Sequence, residues 1–182
     1  MTKPLFCLLN ILMLAACGRP LPHVDEGLLA LAEQGDAQAQ MKVGLACDLE
    51  EEYEEAARWY RMAAMQGVSE AQNNLGVMYK DGQGVGQDYA EAARWFRMAA
   101  LQDNMLAQMN LGWMYHAGKG VRQDADSARY WYMLAADKGH ASAQLNLGIL
   151  CLQQADTAAA VQWLQQAAEQ GNSGAERILK KL

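Results

Sequence analysis

The sequence has few of the side chains that bind nucleic acids or metals. Its 15 Lys and Arg residues stand against 21 Asp and Glu residues, and the cations form no basic stripe. A phosphate backbone needs such a stripe, so we predict that the chain binds no nucleic acid. The three histidines, His23, His116 and His140, have no second ligand at metal-binding spacing. The sequence therefore predicts no metal site and no cofactor.

Motifs that join a nucleophile to its base are also missing. The chain contains no Ser-x-x-Lys, Gly-x-Ser-x-Gly, His-Glu-x-x-His or Cys-x-x-Cys. The segment 82–86 (GQGVG) has the glycines of a phosphate loop, but it follows a helical pattern and is repeated in phase at 118–121 (GKGV). A dinucleotide-binding loop needs a strand before it. We therefore predict that the protein is not an enzyme.

The first residues differ from the rest of the chain. Lys3 precedes an apolar run, Leu5–Leu14, which is interrupted only by Asn10 and is far too short to span a bilayer as a helix. Small residues and Cys17 follow it, in the layout of a secretory signal. We predict a signal at 1–17 and an extended tether at 18–24 (GRPLPHV). No other stretch is long and apolar enough to cross a membrane.

The end of this signal resembles the bacterial lipobox. Its residues read Leu-Ala-Ala-Cys, and the cysteine is Cys17. The resemblance implies that Cys17 carries lipid as the first mature residue, and that Gly18, in place of Asp, directs the chain to the outer membrane. The alternatives are an ordinary signal peptide cut nearby and a fortuitous Leu-Ala-Ala-Cys sequence. We expect an outer-membrane lipoprotein of the bacterial cell envelope that faces the periplasm, with surface exposure left open.

The remainder of the chain is built from a repeated unit. Each unit has two halves with apolar residues at helical spacing, joined by a Gly-rich elbow in the longer units. Neither helix can bury its apolar stripe alone, so the units must stack on one another. The units are 36–67, 68–103, 104–139 and 140–171, of 32, 36, 36 and 32 residues, between half units at 25–35 and 172–182. The sequence predicts an all-α, α/α superhelical solenoid of four repeats with helical caps at 25–182.

Several positions recur four times in register. Gly recurs in the first helix and Trp in the second: Gly44, Gly76, Gly112, Gly148, Trp59, Trp95, Trp131 and Trp163. We predict that the glycines allow the paired helices to approach closely. We expect the tryptophans to fill the core between repeats, each worth roughly 3–5 kcal/mol. In the elbows, Asp88 and Asp124 are predicted helix N-caps.

The complete pattern, AxAQxxLGxxYxxGxGVxxDxxxAxxWxxxAAxxG, resembles that of the Sel-1-like repeats, which are relatives of tetratricopeptide repeats. The resemblance covers residues 36–171. It implies a protein-binding surface on the concave side, lined by the first helix of each repeat. We therefore predict a scaffold or adaptor that binds an envelope or periplasmic protein.

The most apolar part of that concave side lies in the third and fourth repeats. Trp113 is the predicted anchor for a partner; the alternative is that Trp113 and Met109 only pack against the neighbouring first helices. An Asn ladder at this face has two open interpretations, a ligand contact or a contact between helices. The predicted groove residues are Leu106, Met109, Asn110, Trp113, His116, Asn146 and Ile149.

The first repeat adds two further features. A dense acidic patch is either a solvated helix start or a docking site for a basic partner; it consists of Glu50, Glu51, Glu52, Glu54 and Glu55. Cys47 lies beside it, and its counterpart Cys151 lies three repeats away. Helices spaced about 10 Å apart put these two thiols on the order of 30 Å from each other, too far for a disulfide. We predict two unpaired, mostly buried cysteines; the alternative is an intermolecular disulfide.

A second functional class follows from the same resemblance. Some secreted relatives, the Helicobacter cysteine-rich proteins, are described as binding or hydrolysing β-lactams. Those relatives carry a Cys pair in each repeat, which this chain lacks. A β-lactam-binding or β-lactam-hydrolysing envelope protein is therefore the alternative to a scaffold.

Overall fold

The computed structural model describes residues 24–182, and this part of the chain contains ten helices and no strands. The predicted signal, Cys17 and the tether up to His23 lie outside the described residues. The helices are α1 Glu26–Glu33, α2 Ala37–Leu49, α3 Tyr53–Met65, α4 Ser69–Asp81, α5 Tyr89–Ala100, α6 Met105–Ala117, α7 Ala125–Asp137, α8 Ala141–Gln153, α9 Thr157–Glu169 and α10 Ser173–Leu179.

The helices pair as the sequence predicts. Helices α2, α4, α6 and α8 begin the four repeats, and α3, α5, α7 and α9 complete them. The short helices α1 and α10 form the two half repeats at the ends. Extensive contacts run between consecutive helices, and a smaller contact joins α6 to α8. The all-α solenoid of four repeats is confirmed.

Side-chain caps set the helix boundaries. The predicted N-caps are present: Asp88 accepts hydrogen bonds from the N–H groups of Ala90 and Glu91, and Asp124 accepts one from that of Asp126. These carboxylates satisfy amide groups that would otherwise have no partner in the first turn. These two caps lie in the elbows and fix where the second helices of the two longer repeats begin.

The elbow glycines are needed for close backbone contact. Gly84 and Gly120 have φ values of +65° and +69°, and a Cβ on either would overlap the carbonyl group of Tyr53 or Tyr89. Each elbow therefore rests on the start of the second helix of the preceding repeat. This contact explains the GxG spacing without a phosphate ligand.

The helices of a repeat interlock at the recurring glycine. A Cβ on Gly76 would lie 2.7 Å from the ring of Phe96, and one on Gly112 would lie 2.6 Å from the ring of Tyr132. Gly44 meets Tyr60 and Gly148 meets Leu164 in the same way. These four partners are all completely buried. Any side chain at the glycine would push the helices apart.

The core role predicted for all four tryptophans is wrong in part. Trp59 is 1% exposed, whereas Trp95, Trp131 and Trp163 are only partly buried and pack against the core of the preceding repeat. The residue after each Trp faces the glycine instead. Successive residues are about 100° apart around a helix, so only one of the two can point at the paired helix.

A glutamine in the first helix of each repeat connects it to the preceding one. Gln72 donates from Nε2 to the carbonyl oxygen of Ala64 at 3.0 Å, and Gln108 donates to that of Ala100 at 3.3 Å. Gln40 and Gln144 make the equivalent bonds, and all four glutamines are buried. They satisfy carbonyl groups in the last turn of the preceding helix. These glutamines recur in the sequence, but their role was not predicted.

The last half repeat differs from the full repeats at two positions. Its Lys180 stands where the repeats carry the recurring glycine, and its Glu176 stands where they carry the buried glutamine. A lysine side chain occupies the space that the glycine leaves for a ring, and a carboxylate cannot donate to a carbonyl group. Helix α10 therefore packs on α9 without these two contacts.

The glycine–ring interlock predicts unequal effects for two neighbouring residues. We expect Phe96→Ala to lower the free energy of unfolding by roughly 3–5 kcal/mol, because it empties a completely buried site. Trp95→Ala is the matched control. It should lower the free energy of unfolding clearly less, because the Trp95 side chain is only partly buried. Chemical denaturation of both variants measures the difference. An equal or larger loss for Trp95→Ala would contradict the interlock.

Candidate binding surface between α6 and α8

A pocket of about 550 Å³ lies between the first helices of the third and fourth repeats. Trp113, His116 and Ala117 of α6 form one wall, and Leu150 and Gln153 of α8 form the other. Gln123 and Ala125, at the end of the α6–α7 elbow, complete the lining. The pocket is therefore built where two adjacent repeats meet, on the helices that the sequence predicts to line the concave side.

Trp113 takes part in both packing and the pocket. It is partly buried against the apolar residues of the second and third repeats and also against those of the fourth. Its side chain also lines the pocket. Packing and pocket lining, the bases of the two interpretations of Trp113 from the sequence, therefore occur together in one side chain.

The polar groups of the pocket hold its walls together. The Nε2 atom of His116 lies 3.1 Å from the Oε1 atom of Gln153, which ties α6 to α8. Gln123 donates from Nε2 to the carbonyl oxygen of His116 at 2.8 Å, which fixes the elbow against the end of α6. None of the lining residues is a Lys, Arg, Asp or Glu. The pocket thus presents apolar walls with a few hydrogen-bonding groups.

A buried hydroxyl group lies next to this wall. Tyr132 stands edge-on to the His116 ring, with ring centroids 6.2 Å apart. Among the described residues its hydroxyl group has no hydrogen-bond partner. Burial raises the pKa of Tyr132 well above its ordinary value, so the phenol stays neutral. Tyr132 therefore supports the His116 wall by packing rather than by charge.

The other predicted groove residues lie on the same two helices but outside the pocket lining. Leu106 is 48% exposed, and Met109 packs against the core of the following repeat. Asn110 donates from Nδ2 to the Oδ1 atom of Asn73 at 3.1 Å, so this member of the Asn ladder contacts the preceding repeat. Asn146 and Ile149 are partly buried on α8.

The acidic patch lies at the junction of α2 and α3, far along the chain from the pocket. Glu50, Glu51 and Glu52 connect the two helices, and Glu54 and Glu55 belong to the first turn of α3. Glu55 pairs with Arg58 at 2.8 Å. Carboxylates at a helix start interact favourably with the helix dipole. The patch is thus a helix start with an exposed acidic surface.

Cys47 and Cys151, the cysteines of the described residues 24–182, are unpaired and buried, as predicted. Burial, with a smaller contribution from Glu55 and Glu52, raises the pKa of the Cys47 thiol to about 11. Burial also raises the pKa of Cys151. Both thiols therefore remain protonated near neutral pH, which makes them poor nucleophiles.

Residues 24–182 contain no group of three or more His, Cys, Asp and Glu side chains that could hold a metal ion. No helix in this range has the length and hydropathy to cross a membrane.

Sequence reasoning identified Trp113 and His116 but missed the facing residues Leu150 and Gln153. Leu150 follows an apolar pattern shared by core residues, and Gln153 has no repeated counterpart in the other units. A comparison of α6 and α8 in repeat register could have found Gln153, because it lies five residues beyond the recurring glycine, at the end of α8.

Comparisons with known proteins agree with this architecture. A family model described as the Sel1 repeat matches residues 37–68, 69–104, 106–140 and 141–172, each within a few residues of the predicted boundaries. The comparison with curated proteins finds no significant match.

Solved structures, by contrast, include similar repeat proteins. A protective antigen of uropathogenic Escherichia coli with an SLR fold is 39% identical, with a TM-score of 0.79, over 84% of this chain and 35% of that one. A Sel1 repeat protein from Oxalobacter formigenes is 32% identical, with a TM-score of 0.75, over 82% of this chain and 64% of that one.

Cysteine-rich protein B of Helicobacter pylori shares the fold at 20% identity, with a TM-score of 0.54, over 68% of this chain and 97% of that one. This chain spans about a third of the length of the E. coli protein and just under two thirds of the Oxalobacter one. The four matched repeats and these structural relatives show that the chain belongs to the Sel1 repeat family.

Proposed function

We propose that this protein is a non-enzymatic scaffold that captures a partner protein through an apolar segment bound between α6 and α8. Repeat proteins of the Sel1 and tetratricopeptide type generally mediate protein–protein interaction. The observation that supports the proposal is the pocket at Trp113. It joins two repeats, has apolar walls and carries no charged side chain.

The dimensions and chemistry of the pocket suit a side chain of a bound peptide. Its volume of about 550 Å³ exceeds what one aromatic or branched aliphatic side chain needs, so part of a backbone fits as well. His116, Gln123 and Gln153 supply hydrogen-bonding groups at the rim for such a backbone. Leu106, 48% exposed on the same helix as Trp113, extends the apolar contact. A partly exposed Trp beside a pocket is a frequent binding hot spot.

No observation at the pocket favours the β-lactam alternative. Its lining contains no Ser, Cys or Lys that could act as a nucleophile. The likeness to the Helicobacter protein shows a shared fold, and a fold does not carry a chemistry with it. Turnover of a chromogenic β-lactam by the purified protein, abolished by one substitution in the pocket, would establish that alternative.

The lipid anchor at Cys17 is part of the same proposal. A lipoprotein signal at 1–17 and a tether at 18–24 would place α1 within roughly 25 Å of a membrane, because seven residues extend no further. The scaffold would then hold its partner close to the envelope membrane, in our proposal the outer membrane on its periplasmic side. The acidic patch in the first repeat is a second, weaker docking candidate for a basic partner.

The pocket proposal predicts the effect of Trp113→Ala. The substitution removes a pocket wall, so we expect crosslinked capture of envelope partners to fall at least about tenfold, which is a loss of about 1.4 kcal/mol. Trp163→Ala is the matched control, because Trp163 is also a partly buried Trp packed against the preceding repeat. Pull-down from envelope fractions with mass spectrometry, alongside thermal melting, measures both effects.

The comparison separates binding from packing. If both variants lose stability alike and only Trp113→Ala loses capture, the pocket is the binding site. Undiminished capture by a folded Trp113→Ala variant would remove Trp113 and the pocket from the proposed function.

The anchoring proposal predicts the effect of Cys17→Ser. The variant cannot carry lipid on that residue, and two or more acyl chains are what makes such anchoring stable. We expect it to leave the membrane fraction, while a Cys47→Ser control stays there. Membrane flotation in high salt, with mass spectrometry of the N-terminal peptide, reports the outcome. Cys17→Ser protein that still floats with membranes would refute the lipid anchor.

A further inference from the structure

Two cations extend the binding surface beyond the last full repeat. Repeat register places Arg177 at the position of Met109 and Leu145, and Lys181 at the position of Trp113 and Ile149. Arg177 is in α10, and Lys181 follows that helix in a turn, with its N–H donating to the carbonyl oxygen of Ile178 at 2.9 Å. Two rows of side chains thus run across the first helices of successive repeats. One row consists of Met109, Leu145 and Arg177, and the other of Trp113, Ile149 and Lys181, so each apolar row is followed by a positive charge.

Both charges are available for a ligand. Arg177 and Lys181 are exposed, and no salt bridge within residues 24–182 involves either of them. Their only acidic neighbour in the last half repeat is Glu176. The last half repeat, 172–182, thus has three cations and one acid, in a protein whose net charge is −6. An unpaired cationic end on an acidic protein favours an anionic partner.

In the first two repeats, charged residues surround the equivalent positions of these rows. Their positions are Met41 and Leu45 in α2, and Asn73 and Val77 in α4. Charges of both signs stand beside them, with Lys42 and Asp48 in α2 and with Glu70, Lys80 and Asp81 in α4. In α6 and α8 the corresponding positions carry no Lys, Arg, Asp or Glu. A ligand on the surface thus meets an uncharged region at the third and fourth repeats and a region with a net positive charge in the last half repeat.

We infer that the partner segment is apolar at one end and acidic at the other, with its apolar end in the pocket and its acidic end against Arg177 and Lys181. This inference rests on the proposed function of the α6–α8 pocket and adds the chemistry of the ligand. Two repeat steps separate Trp113 from Lys181, about 20 Å at about 10 Å per step. An extended peptide covers that distance in about six residues. The segment therefore carries a large apolar residue and, about six positions away, one or more Asp or Glu residues.

A selection with random peptides tests this chemistry without knowledge of the natural partner. Phage-displayed random dodecapeptides are panned on the full-length protein purified in detergent, and against its Trp113→Ala variant as a counter-selection. The peptides that depend on Trp113 are sequenced, and the strongest is synthesised with a fluorescent label. Its affinity is then measured by anisotropy against Lys181→Glu and against Lys180→Glu.

Lys180→Glu is the matched control. It makes the same charge change one residue away, at the position of the recurring glycine. In the full repeats that glycine faces the second helix, not the row that contains Trp113 and Ile149. At low salt we expect Lys181→Glu to lower the affinity for the peptide about fivefold. Lys180→Glu should change that affinity less than twofold. In 0.5 M salt the difference should shrink, because the Debye length falls to about 4 Å.

The outcomes separate the inference from the proposed function. Peptides with the predicted apolar-to-acidic spacing, weakened by Lys181→Glu but not by Lys180→Glu, support both. Two results would refute the role of Arg177 and Lys181 without affecting the proposed pocket. One is that the Trp113-dependent peptides lack acidic residues, and the other is that both charge reversals lower the peptide affinity equally. Failure to recover any Trp113-dependent peptide overturns the pocket and the inference together.

Discussion

The structure depends on the close approach of two helices at one glycine in every repeat. At Gly44, Gly76, Gly112 and Gly148 there is room for the partner side chain and for nothing else. That contact sets the distance between the helices of a repeat, and the buried glutamines then fix each repeat on the one before it. Because the same contacts recur, each repeat takes up the same orientation relative to its neighbour. Lys180 and Glu176 in the last half repeat provide neither contact.

A scaffold fixed in this way leaves other positions free to vary. In the first helices, the positions next to the interlock read Leu45, Val77, Trp113 and Ile149 along the chain. The fold does not require a Trp at position 113, because the equivalent positions carry smaller apolar residues. The side chains in these rows can therefore vary with the ligand, so the function of such a solenoid depends on these surface residues and not on the fold itself. The uncharged rows of α6 and α8, followed by Arg177 and Lys181, form a distinct chemical pattern of this kind.

The sequence predicts the helices, their caps and the solenoid well, because those features depend on periodicity and on residues such as Asp88 and Gly84 whose local chemistry is definite. It does not show which of Trp95 and Phe96 points at the glycine. Both are large and apolar, and the rotation of the helix decides between them. The pocket is harder still. It depends on a contact between His116 and Gln153, which are 37 residues apart, and no repeated pattern marks that pair. Lipidation at Cys17 remains a sequence prediction, since that residue lies outside the described part of the chain.

The central claim is that the ligand lies across α6 and α8. Hydrogen–deuterium exchange of the full-length protein, with and without the strongest Trp113-dependent peptide, tests this most directly. Bound peptide should slow exchange at the exposed ends of α6 and α8 and in the α6–α7 elbow, and leave α3, α5 and the acidic loop at 50–52 unchanged. Protection of the acidic loop or of α3 and α5, with none at α6 and α8, would place the ligand elsewhere and contradict the account.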